Sequence, residues 1–293
     1  MKRALLIVNP KAGKMKSKNA MYSIVSRLCE NDYRVTVQIT LYRGHAEELA
    51  EHAWEDQDIC ICCGGDGTLN ETVSGMMRAE KRIPIGYIPC GTTNDFAQSM
   101  KIPTTVSRAA DAIVNGELHS MDIGRFNERY FTYIASFGAF TATSYNTPQQ
   151  KKNVLGHFAY VLEGIKDLSS IQPYHMTVRS DESIYVDDYI FGAVSNSTSV
   201  GGIVRINKGI VDMCDGLFEV ILVRLPKNAM ELSRIVHGIT VSDFSDDMFR
   251  FFKTSEITFE TDNGIPWSLD GEYTEGAPKV TVTNMHNAIG IKK

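Results

Sequence analysis

The sequence predicts an α/β protein in two parts: an open parallel sheet with helices on both faces, then a β-rich domain. Three features carry this. Short apolar runs alternate with amphipathic helical stretches through the first part of the chain. Arg3 to Val8 is continuous rather than alternating, as a strand buried on both faces requires, while Val35, Val37 and Ile39 alternate in the second strand. Beyond about residue 120 to 130, helical spacing largely gives way to strands separated by turns.

Arg3 to Val8 is the first buried strand, followed by the turn-forming loop Asn9-Pro10-Lys11-Ala12-Gly13-Lys14. Ser17 is placed to cap a helix carrying Met21, Ile24, Val25 and Leu28. Tyr33 to Ile39 is a strand, Thr40 to Gly44 a loop, and His45 to Trp54 a helix with Ala46, Leu49, Ala50 and Ala53 on one face. Ile59 to Cys63 is a strand that ends in Gly64-Gly65-Asp66-Gly67, and Thr68 to Met77 continues as a helix. Ile83 to Ile88 is the fourth strand; it enters Pro89-Cys90-Gly91-Thr92-Thr93-Asn94-Asp95-Phe96-Ala97 and another helix. After Pro103, Val106, Ala110, Ile113 and Val114 share a helix face. In such a sheet ligands lie outside the carboxyl ends of the strands, so the loops at Asn9, Thr40, Gly64 and Gly91 belong at one edge. Further on, Asp122 to Phe137, Tyr174 to Ser195, Phe218 to Val223 and Glu256 to Phe259 read as strands. Helices interrupt at Val154, Phe158, Val161, Ile165 and Leu168, and again over Lys227 to Ile239. No repeat or linker marks the join, which we set at residues 1–125 and 126–293.

The 43% hydrophobic and 22% charged residues supply an ordinary globular core, and a net charge of −5 argues against nucleic acid as a partner. No apolar run reaches membrane-spanning length, and the one at the N-terminus is too short for a signal peptide. Three of the six cysteines, Cys60, Cys62 and Cys63, fall in one predicted strand, which is neither a disulfide framework nor zinc spacing. They read as reduced core residues of a cytosolic protein. His45, His52, His157 and His237 show no metal spacing, and no Gly-x-Ser-x-Gly elbow suggests hydrolysis.

Strand, glycine turn and helix aim backbone N–H groups at an anion. A carboxylate at that point, Asp66, repels phosphate unless a divalent cation intervenes, so the local chemistry suggests a nucleotide with Mg²⁺. A tight turn capped by Asp66 gives the same pattern. The Walker A motif is absent, and Asn70 stands where the dinucleotide fingerprint needs its third glycine.

Gly64-Gly65-Asp66-Gly67-Thr68-Leu69-Asn70-Glu71 resembles the signature of the diacylglycerol kinase catalytic domain, whose superfamily includes NAD kinases and phosphofructokinases. Asn9-Pro10-x-Ala12-Gly13-Lys14, Thr40 with Gly44-His45-Ala46, Gly91 to Ala97, Asp215-Gly216-Leu217 and Leu269-Asp270-Gly271-Glu272 are similar to its other motifs, in the same order. The resemblance implies an NAD-kinase-like first domain, a β-sandwich-like second domain, a site in the cleft between them, and a final segment, 284–293, that returns to the first. It implies ATP contacts from Asn9, Pro10, Lys11, Ala12, Gly13, Thr40, Gly64, Gly65, Asp66, Gly67, Thr68, Leu69, Asn70, Thr92, Asn94 and Asp95. Asp66 and Asp95 would hold a catalytic Mg²⁺ through waters; a helix-start carboxylate explains Asp95 equally well. Lys14 is suited to neutralising phosphate charge or to standing in solvent. Asp212, Asp215 and a backbone oxygen of Leu217 resemble the family's structural Mg²⁺ site, although an Asp-Gly hairpin turn fits that sequence too.

The implied activity is transfer of the γ-phosphoryl group of ATP to a lipid hydroxyl, with diacylglycerol as acceptor. NAD kinase and a non-catalytic lipid- or nucleotide-binding regulator stand as alternatives. The catalytic base is expected at Asp270 or Glu272. Residues two apart in extended chain share a face, which would aim both carboxylates the same way; an exposed Asp-Gly turn with a solvated Glu272 fits the same spacing. A lipid substrate without a spanning helix implies reversible contact with the inner face of the membrane. Lys2, Arg3, Lys11, Lys14, Lys16, Lys18 and Lys151-Lys152 are candidates for that contact or for an ordinary solvated face. The resemblance also makes a homodimer an expectation.

Overall fold

The computed structural model describes residues 1–92, 94–138, 162, 171–196, 199–200, 204–205 and 214–293, and the expected helix through Val154 to Leu168 lies almost wholly outside them. The described chain divides into two compact units: Met1–Ile123 with His286–Lys293, and Gly124–Met285.

The first unit contains β1 (Lys2–Val8), α1 (Lys16–Cys29), β2 (Tyr33–Ile39), α2 (His45–Glu51), β3 (Ile59–Gly64), α3 (Asp66–Arg78), β4 (Ile85–Pro89), α4 (Asp95–Ser99) and α5 (Val106–Asn115). Its sheet runs β2-β1-β3-β4, every pair parallel. The chain moves outward from β1 to β2, then returns to the other side of β1 with β3. That reversal is the topological switch point, where open α/β sheets leave a crevice between neighbouring loops. Alternation sorts the strand residues onto two faces. Ala4, Leu6, Val8, Ile59, Ile61, Cys63, Ile88 and Cys90 pack with Ile24 and Leu28 of α1 and with Ala109, Ala110 and Ile113 of α5. The intervening Leu5, Ile7, Cys60 and Cys62 are equally buried, with Cys62 against Thr72 of α3. All six cysteines are free thiols, and those in the strands serve as small apolar residues.

Three boundaries differ from the sequence reading. Ser17 lies inside α1 rather than before it, because the helix continues from a 3-10 turn at Ala12–Met15. The helix at His45 stops at Glu51, and a separate 3-10 turn at Ala53–Glu55 carries Ala53 into the core. β4 begins after Pro84, which has no N–H for the ladder and contributes only its carbonyl, to Cys60.

The chain leaves the first unit within β5 (Leu118–Phe126). The second unit then holds β6 (Arg129–Phe131), β7 (Ile134–Gly138), β8 (Tyr174–Ser180), β9 (Ile184–Ser195), the short pair β10 (Ser199–Val200) and β11 (Val204–Arg205), β12 (Phe218–Arg224), α6 (Ala229–Val241), β13 (Phe249–Thr254), β14 (Glu256–Glu260), β15 (Pro266–Leu269), β16 (Glu272–Glu275) and the first half of β17 (Lys279–Lys292), which re-enters the first unit at His286. Every strand pair with a described register in this unit is antiparallel. β9 is the long member: its first half pairs with β8, its second with β7 and β12. One core layer is aromatic. Trp267 is met edge-on by Phe137, Phe259 and Phe126, with ring centroids 4.9, 5.0 and 5.1 Å away. The other layer packs Ile235 and Ile239 of α6 against Ile190, Ile221, Val223 and Phe249. Truncating the shared ring should cost about 3–5 kcal/mol. Trp267→Ala is therefore expected to lower the urea midpoint followed by circular dichroism, and an unchanged midpoint would show that this layer does not hold the unit together.

Candidate active site

Two glycine loops meet at the carboxyl ends of β3 and β4. The parallel pairing sets Gly64 beside Pro89, and the Cys90 N–H donates to the Gly64 carbonyl at 2.7 Å. The next residues touch backbone to backbone: a Cβ added at Gly91 would lie 2.7 Å from the Gly65 Cα. No side chain fits there, which is the physical requirement for glycine at both positions. Tyr87 lies beneath the loops, its hydroxyl donating to the Gly64 carbonyl at 3.4 Å and to Asn94 Oδ1 at 3.5 Å. Burial and the nearby Asp66 charge push the Tyr87 hydroxyl well above the usual phenol range, so it stays a donor. Asn94 takes a left-handed conformation, φ 54°, and its amide returns to the Gly91 carbonyl at 3.1 Å.

Asp66 opens α3, and its Oδ1 accepts the Phe96 N–H at 3.3 Å, tying the first glycine loop to the start of α4. The loop after β1 joins from the other side of the switch point. The Asn9 N–H donates to the Cys63 carbonyl at 3.0 Å, its amide donates to Thr68 Oγ1 at 2.9 Å, and its Oδ1 accepts the Lys11 N–H at 3.0 Å. After β2, the Thr40 N–H donates to the Val8 carbonyl at 2.9 Å. Asn9, Thr40, Gly64–Thr68, Thr92 and Asn94 are thus gathered at one edge of the first unit. Leu69 is among them in sequence but fully buried, its N–H donating to the Gly65 carbonyl at 3.0 Å. The side chains of Lys14 and Asp95, and Thr93 altogether, lie outside the described residues. The N-terminal turn of α3 supplies the positive end of a thirteen-residue helix to this edge, which suits an anion.

In the second unit, Asp270 and Gly271 are the two central residues of the β15–β16 hairpin, both left-handed with φ 49° and 83°. That is a type I′ turn, for which Asp-Gly is a preferred pair. The extended path expected from Asp270 to Glu272 is therefore replaced by a reversal, and spacing of two does not put both carboxylates on one face. The Asp270 carboxylate turns onto the segment before β7. Its Oδ2 accepts the Thr132 N–H at 2.6 Å and the Thr132 hydroxyl at 2.8 Å. Its Oδ1 accepts the Tyr133 and Ile134 N–H groups at 3.0 Å each. Burial still raises the Asp270 carboxyl above the ordinary range, although these donors pull the other way. Glu272 begins β16 and is half-buried.

Asp215 forms a turn with its own chain, Oδ1 accepting the Leu217 N–H at 3.0 Å. Lys253 Nζ lies 3.0 Å from both Asp215 Oδ2 and Glu219 Oε1. A cation at Asp215 would compete with that ammonium, while Asp212 lies outside the described residues. Among the described residues no cluster of three or more His, Cys, Asp or Glu is poised to hold a metal.

Residues 3–126 match the diacylglycerol kinase catalytic domain, and residues 134–291 match the YegS C-terminal NAD kinase beta sandwich-like domain. A diacylglycerol kinase of Bacillus subtilis (strain 168) is 30% identical over 275 residues, 93% of this chain and 90% of that one. The chain belongs to the diacylglycerol kinase family. A diacylglycerol kinase of Staphylococcus aureus (strain MRSA252) is 31% identical over 274 residues, 93% of this chain and 86% of that one. The crystal structure of a diacylglycerol kinase from Bacillus anthracis strain Sterne has a TM-score of 0.76 at 22% identity, covering 99% of this chain and 96% of that one. A second crystal structure from that strain reaches a TM-score of 0.83 at 23% identity, covering 99% and 95%. These two show the fold: an α/β unit and a sandwich-like β unit, the architecture read from the sequence.

Membership of the diacylglycerol kinase family makes the protein a kinase. Several residues that shape its loops escaped the sequence reading. Tyr87 looked like one more apolar strand position. Thr132 carried no signal, because its partner, Asp270, is far away in sequence. The Glu219–Lys253 pair joins β12 to β13 directly across the ladder, and only the register reveals it. Burial pushes the Glu219 carboxyl up to about 7 from an ordinary 4.5, outweighing the pull of Lys253. The native state then holds a proton that the unfolded chain releases, so this stability is present below pH 4.5 and is lost as pH rises through 7. Thermal melts in chelator between about pH 5 and 8 should show the wild type losing stability relative to Glu219→Gln, by up to about 3 kcal/mol. Parallel curves for the two proteins would mean that Glu219 is ionised throughout.

Proposed function

We propose that the protein transfers the γ-phosphoryl group of ATP to the hydroxyl of a membrane lipid, with diacylglycerol as the acceptor and phosphatidate as the product. The observation that carries this reading is the backbone contact of the Gly65 and Gly91 loops at the N-terminus of α3, beside the β1–β3 switch point. Such an edge binds polyphosphate through N–H groups and the helix dipole, and family membership supplies the kinase chemistry. Gly64, Gly65 and Gly67 give close approach, while Asn9, Thr40 and Thr92 border the nucleotide. Asp66, half-buried at the first residue of α3, fits Mg²⁺: that ion keeps most of its waters and needs only one or two carboxylates beside the phosphates. When bound, Mg²⁺ neutralises charge on the phosphates.

We assign the base to Glu272. The oxygens of Asp270 already receive four donors, which favours a structural carboxylate holding the hairpin, whereas Glu272 is the neighbouring carboxylate on the strand. As the lipid oxygen bonds to the γ-phosphorus, the bond to ADP breaks and the hydroxyl proton passes to Glu272. No helix among the described residues is long and apolar enough to cross a membrane, so contact with the bilayer would be peripheral, through surface residues such as Lys2, Arg3 and Lys11. We also carry the homodimer as a proposal, which light scattering tests.

Labelled ATP offered with mixed lipids in one tube and NAD in another tests the reaction; stronger label in NADP than in any lipid would overturn it. Asp66→Ala should abolish turnover with little change in melting temperature, and near-normal turnover would remove the nucleotide role. Glu272→Gln should lower kcat by about a hundredfold or more with little change in KM for ATP. Asp270→Asn, which sets an amide donor against N–H donors, should instead lower stability by about 2–4 kcal/mol. A Glu272→Gln enzyme within a few-fold of wild-type kcat would place the base elsewhere.

A further inference from the structure

The loop after β2 is the least supported part of the nucleotide edge. Among the described residues β2 is an edge strand, with no strand paired beyond it. Thr40 is tied at its N–H to Val8, but from Leu41 onward the chain turns away through Gly44, φ 87°, into α2. Gly44 sits at the N-cap of α2 and has no side chain with which to cap it. Another helix supplies the missing acceptor. The Gly44 N–H donates to Glu71 Oε1 at 2.9 Å, and the Ala46 N–H donates to Glu71 Oε2 at 3.3 Å.

Glu71 lies on α3, one turn beyond Gly67. Its contact continues along one stripe of that helix at positions four and then three residues on. At Gly75 the chain of α2 comes so close that an added Cβ would fall 2.0 Å from the Glu47 carbonyl oxygen. Arg78 then ion-pairs with Glu47. The loop is braced from within as well: the Leu41 N–H donates to His45 Nδ1 at 3.1 Å, and the Tyr42 ring stacks on His45 at 4.6 Å.

We infer that Glu71 is a positioning residue for nucleotide binding: it fixes the Thr40–Gly44 loop to α3. The inference rests on the nucleotide reading proposed above. A carboxylate that accepts two N–H groups of the loop and of α2 holds both to α3 more firmly than a neutral acceptor would. The second loop contributes to the nucleotide edge through Thr40, whose position Glu71 sets. One helix thus organises two loops, its first turn facing the phosphates and its second turn holding the neighbouring loop.

Glu71→Gln tests this, because the amide accepts one N–H but opposes the other with its own donor. Arg78→Ala is the control, since it weakens the same helix pair without touching the loop. ADP affinity by calorimetry, amide exchange at Gly44 and Ala46, and melting temperature are measured for both. For Glu71→Gln we expect ADP affinity to fall about tenfold, faster exchange at both amides, and kcat at saturating ATP within about twofold of wild type. For Arg78→Ala we expect a lower melting temperature with ADP affinity unchanged. Unchanged ADP affinity in Glu71→Gln, or an equal loss in Arg78→Ala, would overturn the inference and leave the nucleotide reading intact. Rapid exchange of the Gly44 and Ala46 amides in the wild-type protein would overturn it even if Glu71→Gln failed to fold. Wild-type protein that binds no ADP would remove the nucleotide reading itself, and this inference with it.

Discussion

The glycine-loop edge of the first unit depends on two backbones lying in contact where side chains would ordinarily separate them. Adjacent parallel strands deliver Gly65 and Gly91 to the same level, and the Cys90 N–H bond to Gly64 holds them there. Each remaining loop is also fastened to this junction by hydrogen bonds, and the α4 segment adds the buried Phe96 ring, edge-on to Tyr87 at 5.8 Å. Asn9 reaches it through Thr68, α4 through Asp66, and Asn94 through Tyr87. The consequence is pre-organisation: the loops are held by bonds to other carbonyls and side chains before any ligand arrives. The central strands β1 and β3 beneath them bury apolar residues from Ala4 to Val8 and from Ile59 to Cys63.

The second unit solves a related problem with charge. A left-handed Asp270 is a costly conformation outside a turn, and a half-buried carboxylate is costly without donors. Together they stabilise each other. The I′ turn swings the carboxylate onto residues 132–134, three successive N–H groups and one hydroxyl satisfy it, and the Asp270 N–H returns to the Ile134 carbonyl at 2.9 Å. The hairpin carrying Glu272 is thereby clamped to the strand that begins at Ile134. A hairpin clamped at its turn fixes the residues that follow it more closely than a free loop would.

The parallel sheet was legible in the sequence for a physical reason. Strands buried on both faces are continuous apolar runs, and Arg3–Val8 and Ile59–Cys63 admit few other readings. The glycine loops were legible because close backbone approach excludes every other residue. What escaped notice was long-range. Asp270-Gly271 follows an apolar strand, so spacing alone left an extended path and an Asp-Gly turn both open, and the turn is what forms. Its partners are 136 to 138 positions away, and no local pattern announces them. Glu71 stood within the quoted signature, but its bonds to Gly44 and Ala46 become visible only once α2 and α3 lie side by side. Helix ends were misjudged by a residue or two where a 3-10 turn runs into the helix, as before Lys16, because turn and helix use almost the same dihedral angles.

The last strand ties the first unit to chain distant in sequence. An exposed β4 would be a sheet edge with unpaired N–H and C=O groups, which invites association with other chains. The end of β17 occupies that position, Ile291 opposite Ile85 in parallel register, with Ile289 and Ile291 buried. Beyond the ladder, the Lys293 and Glu117 backbones exchange hydrogen bonds, and Lys292 Nζ donates to the Gly116 carbonyl at 2.6 Å. The neighbouring residues are pinned as well: the fully buried Asp122 accepts the Asn287 N–H at 2.7 Å and lies 3.0 Å from His286 Nδ1. A parallel strand needs a crossover to reach its neighbour, and here that crossover is the entire second unit. The first unit's sheet is therefore completed by chain that returns only after the whole of the second unit, between Ile123 and His286, so the cover on β4 is supplied from the far end of the sequence.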